Sequence, residues 1–430
     1  MQRDGSLQKF DSALGRRVPR RSFRSRRLPA RCLLFALVGA VALAGSTQAQ
    51  QALDTPRVAR LPAVGDHWVW VPDIILAHSL LFDGDSGDVL GTIDGGTTIS
   101  PKPPLYARDR GEFYSVEIHY ARGRRGARTD VVTIYDEQTL AVTGEVVLPT
   151  RTSESAGSFG YAALLDGARF LATYNQFPTT SVSITDLASR AFVDEIVVAG
   201  CAGIYPTGAR SFGMLCGDGT MLAVTLDETG HRQSMVATER FFDAVLDPVM
   251  MAGGRHGDRW LFVSFLGTAH EIDFGTTPPT PSAWPLLDES ERSAGWRPGG
   301  RQLTAVHHAS GRLFVIFHQG GAGSHKDAGP EVWVYDIAKR QRVDRFEMPN
   351  FTAAFLGTTL ALEPGSFAAW LLNLLPDEGA DTITVSQDAA PLLFARSSER
   401  GSIAVLDART GEHLRDLTEA GLAGMRLEVP

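Results

Sequence analysis

Seven times along this chain an alternating apolar stretch runs into an aspartate, then a turn, then a second alternating stretch. The copies are Ser79-Leu-Leu-Phe-Asp83, Val132-Thr-Ile-Tyr-Asp136, Val182-Ser-Ile-Thr-Asp186, Leu222-Ala-Val-Thr-Leu-Asp227, His270-Glu-Ile-Asp273, Val332-Trp-Val-Tyr-Asp336 and Ile403-Ala-Val-Leu-Asp407. Successive aspartates are 53, 50, 41, 46, 63 and 71 residues apart. Short strands repeating every ~40–50 residues specify a β-propeller, one four-stranded antiparallel blade per repeat. The expectation is therefore an all-β, seven-bladed propeller. An aspartate suits a strand end because its carboxylate can accept hydrogen bonds from the amides of the turn it opens. A propeller is a scaffold, so function must be sought in its faces, insertions and partners.

The N-terminus does not fit that rhythm. Residues 1–49 carry ten Arg or Lys against Asp4 and Asp11, then an apolar run over residues 32–45 and small residues ending at Ala49. This pattern is that of a signal peptide cleaved near Ala49, and the apolar run is too short for a good bilayer span. Arg20-Arg21-Ser22-Phe23 resembles a twin-arginine export signal. Removing 10 basic and 2 acidic residues from totals of 41 and 49 leaves 31 and 47, a formal charge of −16. So acidic a surface argues against nucleic acid and anionic membrane, and suits small cations or a basic partner.

Without the leader two cysteines remain, Cys201 and Cys216, on either side of the turn-rich Ala202-Gly-Ile-Tyr-Pro-Thr-Gly208. In an oxidising compartment an isolated pair at hairpin spacing is read as one disulfide; the alternative is two buried thiols. Closing a loop of about 15 residues would stabilise the fold by roughly 3 kcal/mol.

The repeats form one domain over residues 67–430, because blades cannot bury their faces separately. Residues 50–66, polar and proline-containing, are expected as a loose N-terminal arm. One segment interrupts the rhythm: residues 351–362 and 366–375 are apolar and flank Glu363-Pro-Gly365. They are expected as a helical hairpin, each arm too short to cross a bilayer. Such an insertion at 351–375 needs a cover, whether a protein partner, the propeller rim or a shallow membrane contact.

Self-contained chemistry is hard to find. Asp83-Gly-Asp85-Ser-Gly-Asp88 resembles a calcium loop but has Gly87 at the third ligand and no closing glutamate, so a β-turn is expected. His307 and His308 are adjacent and in a strand would face opposite ways. His318 and His325 flank a glycine-rich loop, and His270-Glu271 lacks a second histidine. The sequence has no Gly-x-Ser-x-Gly, Walker loop, dinucleotide fingerprint or Cys-x-x-Cys-His.

Longer strings are more specific. Ser293-Ala-Gly-Trp-Arg-Pro-Gly-Gly300, continuing through Val306-His-His308, His325-Lys326 and Val332-Trp-Val-Tyr-Asp336, resembles the heavy chain of methylamine dehydrogenase. Ile93-Asp-Gly-Gly96, Arg128-Thr-Asp130, Cys216-Gly-Asp-Gly219, His270-Glu-Ile-Asp273, Val385-Ser-Gln-Asp388 and Pro391-Leu-Leu-Phe394 extend the resemblance over about residues 57–420. It implies a periplasmic propeller that holds a small disulfide-rich light chain in an α2β2 assembly. The light chain carries tryptophan tryptophylquinone, made from its own tryptophans. A primary amine is oxidised to aldehyde and ammonia, and two electrons pass singly to a blue copper protein such as amicyanin.

The resemblance thus assigns no catalytic, cofactor-binding or metal-ligating residue to this chain, and matches Cys201 and Cys216 to the family's heavy-chain disulfide. The phenylalanine with which the family lines its substrate channel has no counterpart near Pro72-Asp-Ile-Ile-Leu76, and the 351–375 insertion is a further departure. The expected function is the large subunit of a dehydrogenase for methylamine or a similar amine. The alternatives are an aromatic amine dehydrogenase heavy chain with an azurin-type acceptor, a non-catalytic binding propeller, and an independent enzyme with an axial pocket.

Overall fold

The computed structural model describes residues 59–96, 101–154, 159–352, 354–355, 358–359, 378–418, 420–421 and 426–430. The leader and the twin-arginine string lie outside them. Seven antiparallel sheets follow one another along the chain. Blade 1 has strands Trp68–Asp73, His78–Asp83 and Val89–Asp94; blade 2 has Leu105–Ala107, Glu112–Tyr120, Arg128–Asp136 and Val142–Leu148. Blade 3 runs through Ala162–Leu165, Phe170–Phe177, Ser181–Asp186 and Ala191–Val197, with Arg151–Thr152 as an extra inner piece. Blade 4 is Cys201–Gly208, Ser211–Cys216, Met221–Leu226 and Arg232–Ala237, and blade 5 is Gly254–His256, Arg259–Val263, Thr268–Asp273 and Thr280–Pro285. Blade 6 adds Trp296–Pro298 to Thr304–His307, Arg312–Gln319, Glu331–Asp336 and Gln341–Glu347; blade 7 is Thr382–Val385, Leu392–Ser397, Ser402–Asp407 and His413–Leu417.

The aspartates stand where the repeat places them. Six end the third strand of the four-stranded pattern and Asp227 follows it by one residue. Their carboxylates accept from turn amides: Asp83 from Asp85 at 2.8 Å, Asp136 from Thr139 at 2.8 Å, Asp186 from Ser189 at 2.8 Å, Asp227 from Thr229 at 2.8 Å. Asp273, Asp336 and Asp407 do the same for Gly275, Lys339 and Arg409. An aspartate left unpaired at a strand end would strand those amides; here it also fixes the register of the last hairpin.

Burial explains the residue choice within each blade. Third strands such as Ser402–Asp407 are buried on both sides because a blade is packed between two others, so they run apolar instead of alternating. Outer strands such as Gln341–Glu347 alternate, with Phe346 buried and Glu347 exposed. The apolar clusters cross blade boundaries: Phe82 packs with Phe394 and Leu417, and Phe113 with Trp70. This is why no blade is a folding unit by itself.

Blade 1 has three strands of its own. Its missing inner edge is supplied by the last residues: Trp70 N–H donates to the Glu428 carbonyl at 2.7 Å and Glu428 N–H returns to Trp70 at 3.2 Å. A ring joined this way leaves no open inner edge at the seam.

Three expectations are modified. Cys201 and Cys216 are disulfide-bonded, but the intervening residues are strand, not a turn-rich loop: the two cysteines are directly paired across a hairpin, with Cα atoms 4.0 Å apart. Bulges at Ala202/Tyr205 and Pro206/Gly208 absorb the glycines and the proline that had looked like turn formers. The supposed arm is docked from Arg60 onward: Leu61 N–H donates to Gln138 at 2.7 Å, and Val64 packs on Trp68 because both are apolar and otherwise exposed. In the insertion, Ala354–Phe355 pairs antiparallel with Thr358–Thr359, a β-hairpin where a helix was expected. Residues 360–377 lie outside the described residues. Among those, the single α-helix is Glu289–Ser293, opened by a capping box between Asp288 and Glu291. No helix among them is long and apolar enough to cross a membrane.

Candidate functional site

The inner strands converge on an axial cavity of about 380 Å³. Its wall takes Leu105 from blade 2, Ala162 from blade 3, Ile204 from blade 4, Gly254 from blade 5, Thr304 from blade 6 and Thr384 from blade 7. The seventh sector is Arg426 and Glu428 from the closing segment. Small residues such as Ala162, Gly254 and Ala305 stand among larger ones where the strand edges crowd together. At Gly254 a Cβ would lie 2.3 Å from Val306, so only glycine fits without displacing the neighbouring inner strand.

The polar groups at the cavity are mutually occupied. Arg426 Nε donates to Glu428 at 3.0 Å, and its guanidinium lies over the rings of Phe159 at 5.2 Å and Tyr161 at 5.5 Å. Tyr161 donates to the Pro103 carbonyl, and burial pushes its phenol well above the ordinary range. Tyr205 donates to Met251 at 2.8 Å and Trp260 to Pro206 at 2.7 Å. Thr304 donates to the Ala252 carbonyl. Among the described residues, these side chains are engaged with one another or with backbone carbonyls, and the cavity is large enough for a small molecule.

Behind Tyr161 sits an ammonium that the sequence reading did not single out. Lys102 is 7% exposed; its Nζ donates to the Ser153 carbonyl at 2.8 Å and lies 5.4 Å from the Tyr161 ring centre. Burial lowers it to about 8, against the opposing attraction of Asp130. Beside it Arg128 grips Asp130 with two bonds of 2.7 Å and also meets Glu154, so Asp130 holds Arg128 above its usual range. Asp130 further accepts from Thr152 N at 2.9 Å. Lys102 stands among polar and proline-rich residues with no periodic signal, so nothing in the sequence marks it as buried.

The singled-out histidines are scattered. His307 uses Nδ1 toward Ser310 at 2.8 Å and Nε2 toward the Asp388 carbonyl at 2.9 Å, while His308 lies beside the Gln387 side chain. His318 is buried in blade 6, and burial lowers its pKa. His325 stacks on Phe265 with ring centres 3.9 Å apart. His270 is buried near Phe241, at 5.7 Å, and is likewise lowered by burial. No group of three or more His, Cys, Asp or Glu among the described residues could hold a metal ion. The stretch around Asp83 is a turn: Gly87 N–H donates to Asp83 O at 2.8 Å, and Asp85 faces His67.

The longest of the specific strings falls on blade 6, and those at residues 385–388 and 391–394 fall on blade 7. Trp296–Pro298 pairs with Phe317–Gln319, and Trp296 lies 5.2 Å from Trp333. Arg345 covers both indoles, at 5.1 and 4.5 Å, while it pairs with Glu331 at 2.6 Å. Gly300 has φ +115° and approaches the Asp381 carbonyl so closely that a Cβ would sit 2.8 Å away. That contact lets the blade 6 entry bond to blade 7, where Arg301 N–H donates to Asp381 at 2.6 Å. Near Pro72, Asp73 is buried and accepts from Ile75 N at 2.7 Å, leaving Ile75 and Leu76 exposed at the blade tip.

Comparison with known proteins adds a finding that the geometry does not contain. Residues 71–355 match the family model of the methylamine dehydrogenase heavy chain. A heavy chain of that name from Paracoccus versutus is 29% identical over 377 residues, covering 86% of this chain and 80% of the relative. One from Methylorubrum extorquens is 27% identical over 378 residues, covering 86% and 84%. Another, from Methylobacillus flagellatus, is 25% identical over 352 residues, covering 79% and 78%.

Proposed function

Because the chain belongs to the methylamine dehydrogenase heavy-chain family, we propose that it is the large subunit of a periplasmic quinoprotein amine dehydrogenase. The reading is that it scaffolds a small, disulfide-rich light chain in an α2β2 assembly. The overall reaction takes a primary amine, methylamine or one of similar size, and water to aldehyde and ammonia, with two protons and two electrons released. The electrons go to a blue copper protein. The single observation that carries this reading is the match of about two thirds of the chain to that family.

The cofactor of such an enzyme, tryptophan tryptophylquinone, supplies the electron sink when bound. The described residues of this chain do not suit it as a site. Among the described residues only Trp296 and Trp333 bring two indoles together. Trp333 is fully buried, with its N–H on Glu331 at 2.6 Å and Arg345 over its face. Trp333 is thereby closed to an amine, while half-buried Trp296 meets it only with its ring. The reading therefore places the quinone on the light chain, and gives this chain the work of orienting the light chain and excluding water around it.

Co-purification from the native periplasm tests the proposal. The expected result is a small partner with a visible quinone band that bleaches with methylamine, and methylamine-dependent reduction of a redox dye. A colourless, partnerless and inactive chain would move the reading to a binding propeller.

A further inference from the structure

Blade 2 carries a charge feature at odds with the rest of the molecule. Its two central strands, Glu112–Tyr120 and Arg128–Asp136, are nine residues long, against six for Trp68–Asp73 and His78–Asp83 in the adjacent blade. Both hairpins are aligned at their aspartate ends, where Glu112 pairs with Asp136 and Trp68 with Asp83. The three extra pairs therefore all extend the opposite end, by about 10 Å. The tip, residues 121–127, reads Ala-Arg-Gly-Arg-Arg-Gly-Ala and is exposed throughout. It is nevertheless a built turn: Ala121 N–H donates to Ala127 O at 2.9 Å and Arg122 N–H to Arg125 O at 3.0 Å, with Gly123 and Gly126 at φ +67° and +100°.

Arg128 at its base is held by Asp130 and Glu154. Arg122, Arg124 and Arg125 have no carboxylate partner among the described residues, in which every other ion pair uses different cations. Three guanidiniums on one tight turn repel one another, and the fold offers them nothing in return. They project from a chain whose residues 50–430 carry a formal charge of −16.

We propose that this arginine-tipped hairpin is a docking element for the acidic face of a protein met transiently; on the reading above, which this inference rests on, that protein is the electron acceptor. The tip holds no apolar side chain larger than alanine, so it cannot form the desolvated centre of a permanent interface such as a light chain needs. Exposed charges instead steer encounters and set their salt dependence. Arg122, Arg124 and Arg125 lie beyond the neutralised Arg128–Asp130–Glu154 cluster, so with a Debye length of ~8 Å at physiological salt they are the charges that a partner at the tip meets first. A flat anionic membrane would meet that acidic body as well as the tip, which disfavours it.

The test uses the purified complex with Arg122→Glu, Arg124→Glu and Arg125→Glu combined. Acceptors are the blue copper protein of the same periplasm and a small redox dye. With the copper protein at low ionic strength the variant should turn over about tenfold more slowly or worse, and the difference should shrink below about twofold in ~0.5 M salt. The dye rate should not change. Equal rates and equal salt slopes with the copper protein overturn the proposal. So does loss of binding to phosphatidylglycerol vesicles with the copper-protein rate intact, which would make the hairpin a membrane contact. If the wild-type complex reduces no dye with methylamine, the dehydrogenase reading itself falls and takes this proposal with it.

Discussion

Gln302 grips the backbone of Leu427 with both ends of its amide: Leu427 N–H donates to Oε1 at 2.9 Å and Nε2 donates to the Leu427 carbonyl at 3.0 Å. It thereby holds the segment whose next residue, Glu428, completes blade 1. The ring is thus joined twice, by a ladder bond to Trp70 and by a side chain of blade 6.

Replacing Gln302 with leucine leaves a buried N–H and a buried C=O unpartnered. The expected loss is about 2–4 kcal/mol, from two orphaned backbone groups at ~1–2 kcal/mol each. A urea titration followed by circular dichroism reads it; a loss below ~0.5 kcal/mol would show that the amide does not secure the closure.

Cys201→Ser with Cys216→Ser opens a loop of 15 residues. The chain-entropy account expects about 3 kcal/mol of destabilisation, with secondary structure retained. Wild type in excess dithiothreitol should approach the variant's midpoint. A midpoint unchanged in both would remove the disulfide from the stability of blade 4.

His67 lies at the seam, with Nδ1 2.9 Å from Asp85 of blade 1 and Nε2 3.3 Å from Asp388 of blade 7. Burial alone would lower its pKa, but the two aspartates together outweigh burial and raise it. A raised folded value means stability fully present below the unfolded value of 6.5 and lost as pH rises through the folded one. Thermal midpoints should fall from about pH 6.5 upward in wild type and not in His67→Gln. Parallel curves for the two proteins would refute the latch.

Lys102 has the opposite sign. Its folded value of about 8 lies below the ordinary 10.5, so the unfolded chain binds the proton more tightly between them. Stability from this group therefore rises with pH across that window. The difference between wild type and Lys102→Met, measured from pH 7 to 10.5, should narrow steadily; a constant difference would place the ammonium in water.

Phe351, at the sequence boundary of the insertion, is 5% exposed and belongs to the core shared by blades 5–7. Phe351→Ala should cost about 3–5 kcal/mol, as for other buried aromatic truncations. A small loss would return it to the insertion. Any deletion meant to test the insertion as a partner surface must therefore begin after this residue.

The propeller was legible because its strongest signal is local. An aspartate bonds amides two or three residues away, as Asp136 does with Thr139, so each hairpin writes its own marker into the sequence. The hairpin pairing of Cys201 and Cys216 is also short in range. The insertion was misjudged at Ala354–Phe355 and Thr358–Thr359 because a short apolar run does not distinguish helix from strand by pattern alone.

What the sequence alone determined was the number of blades, their order and the family. The tertiary structure decided which charges are spent and which are free. Arg128 and Arg125 are three residues apart and chemically identical; one is bound to Asp130 and the other stands in solvent. It decided, too, that Lys102 is buried and that Glu428 closes blade 1. Those outcomes depend on groups brought together from distant parts of the chain, and Coulomb energy and desolvation are functions of distance in space, on which spacing along the chain is silent.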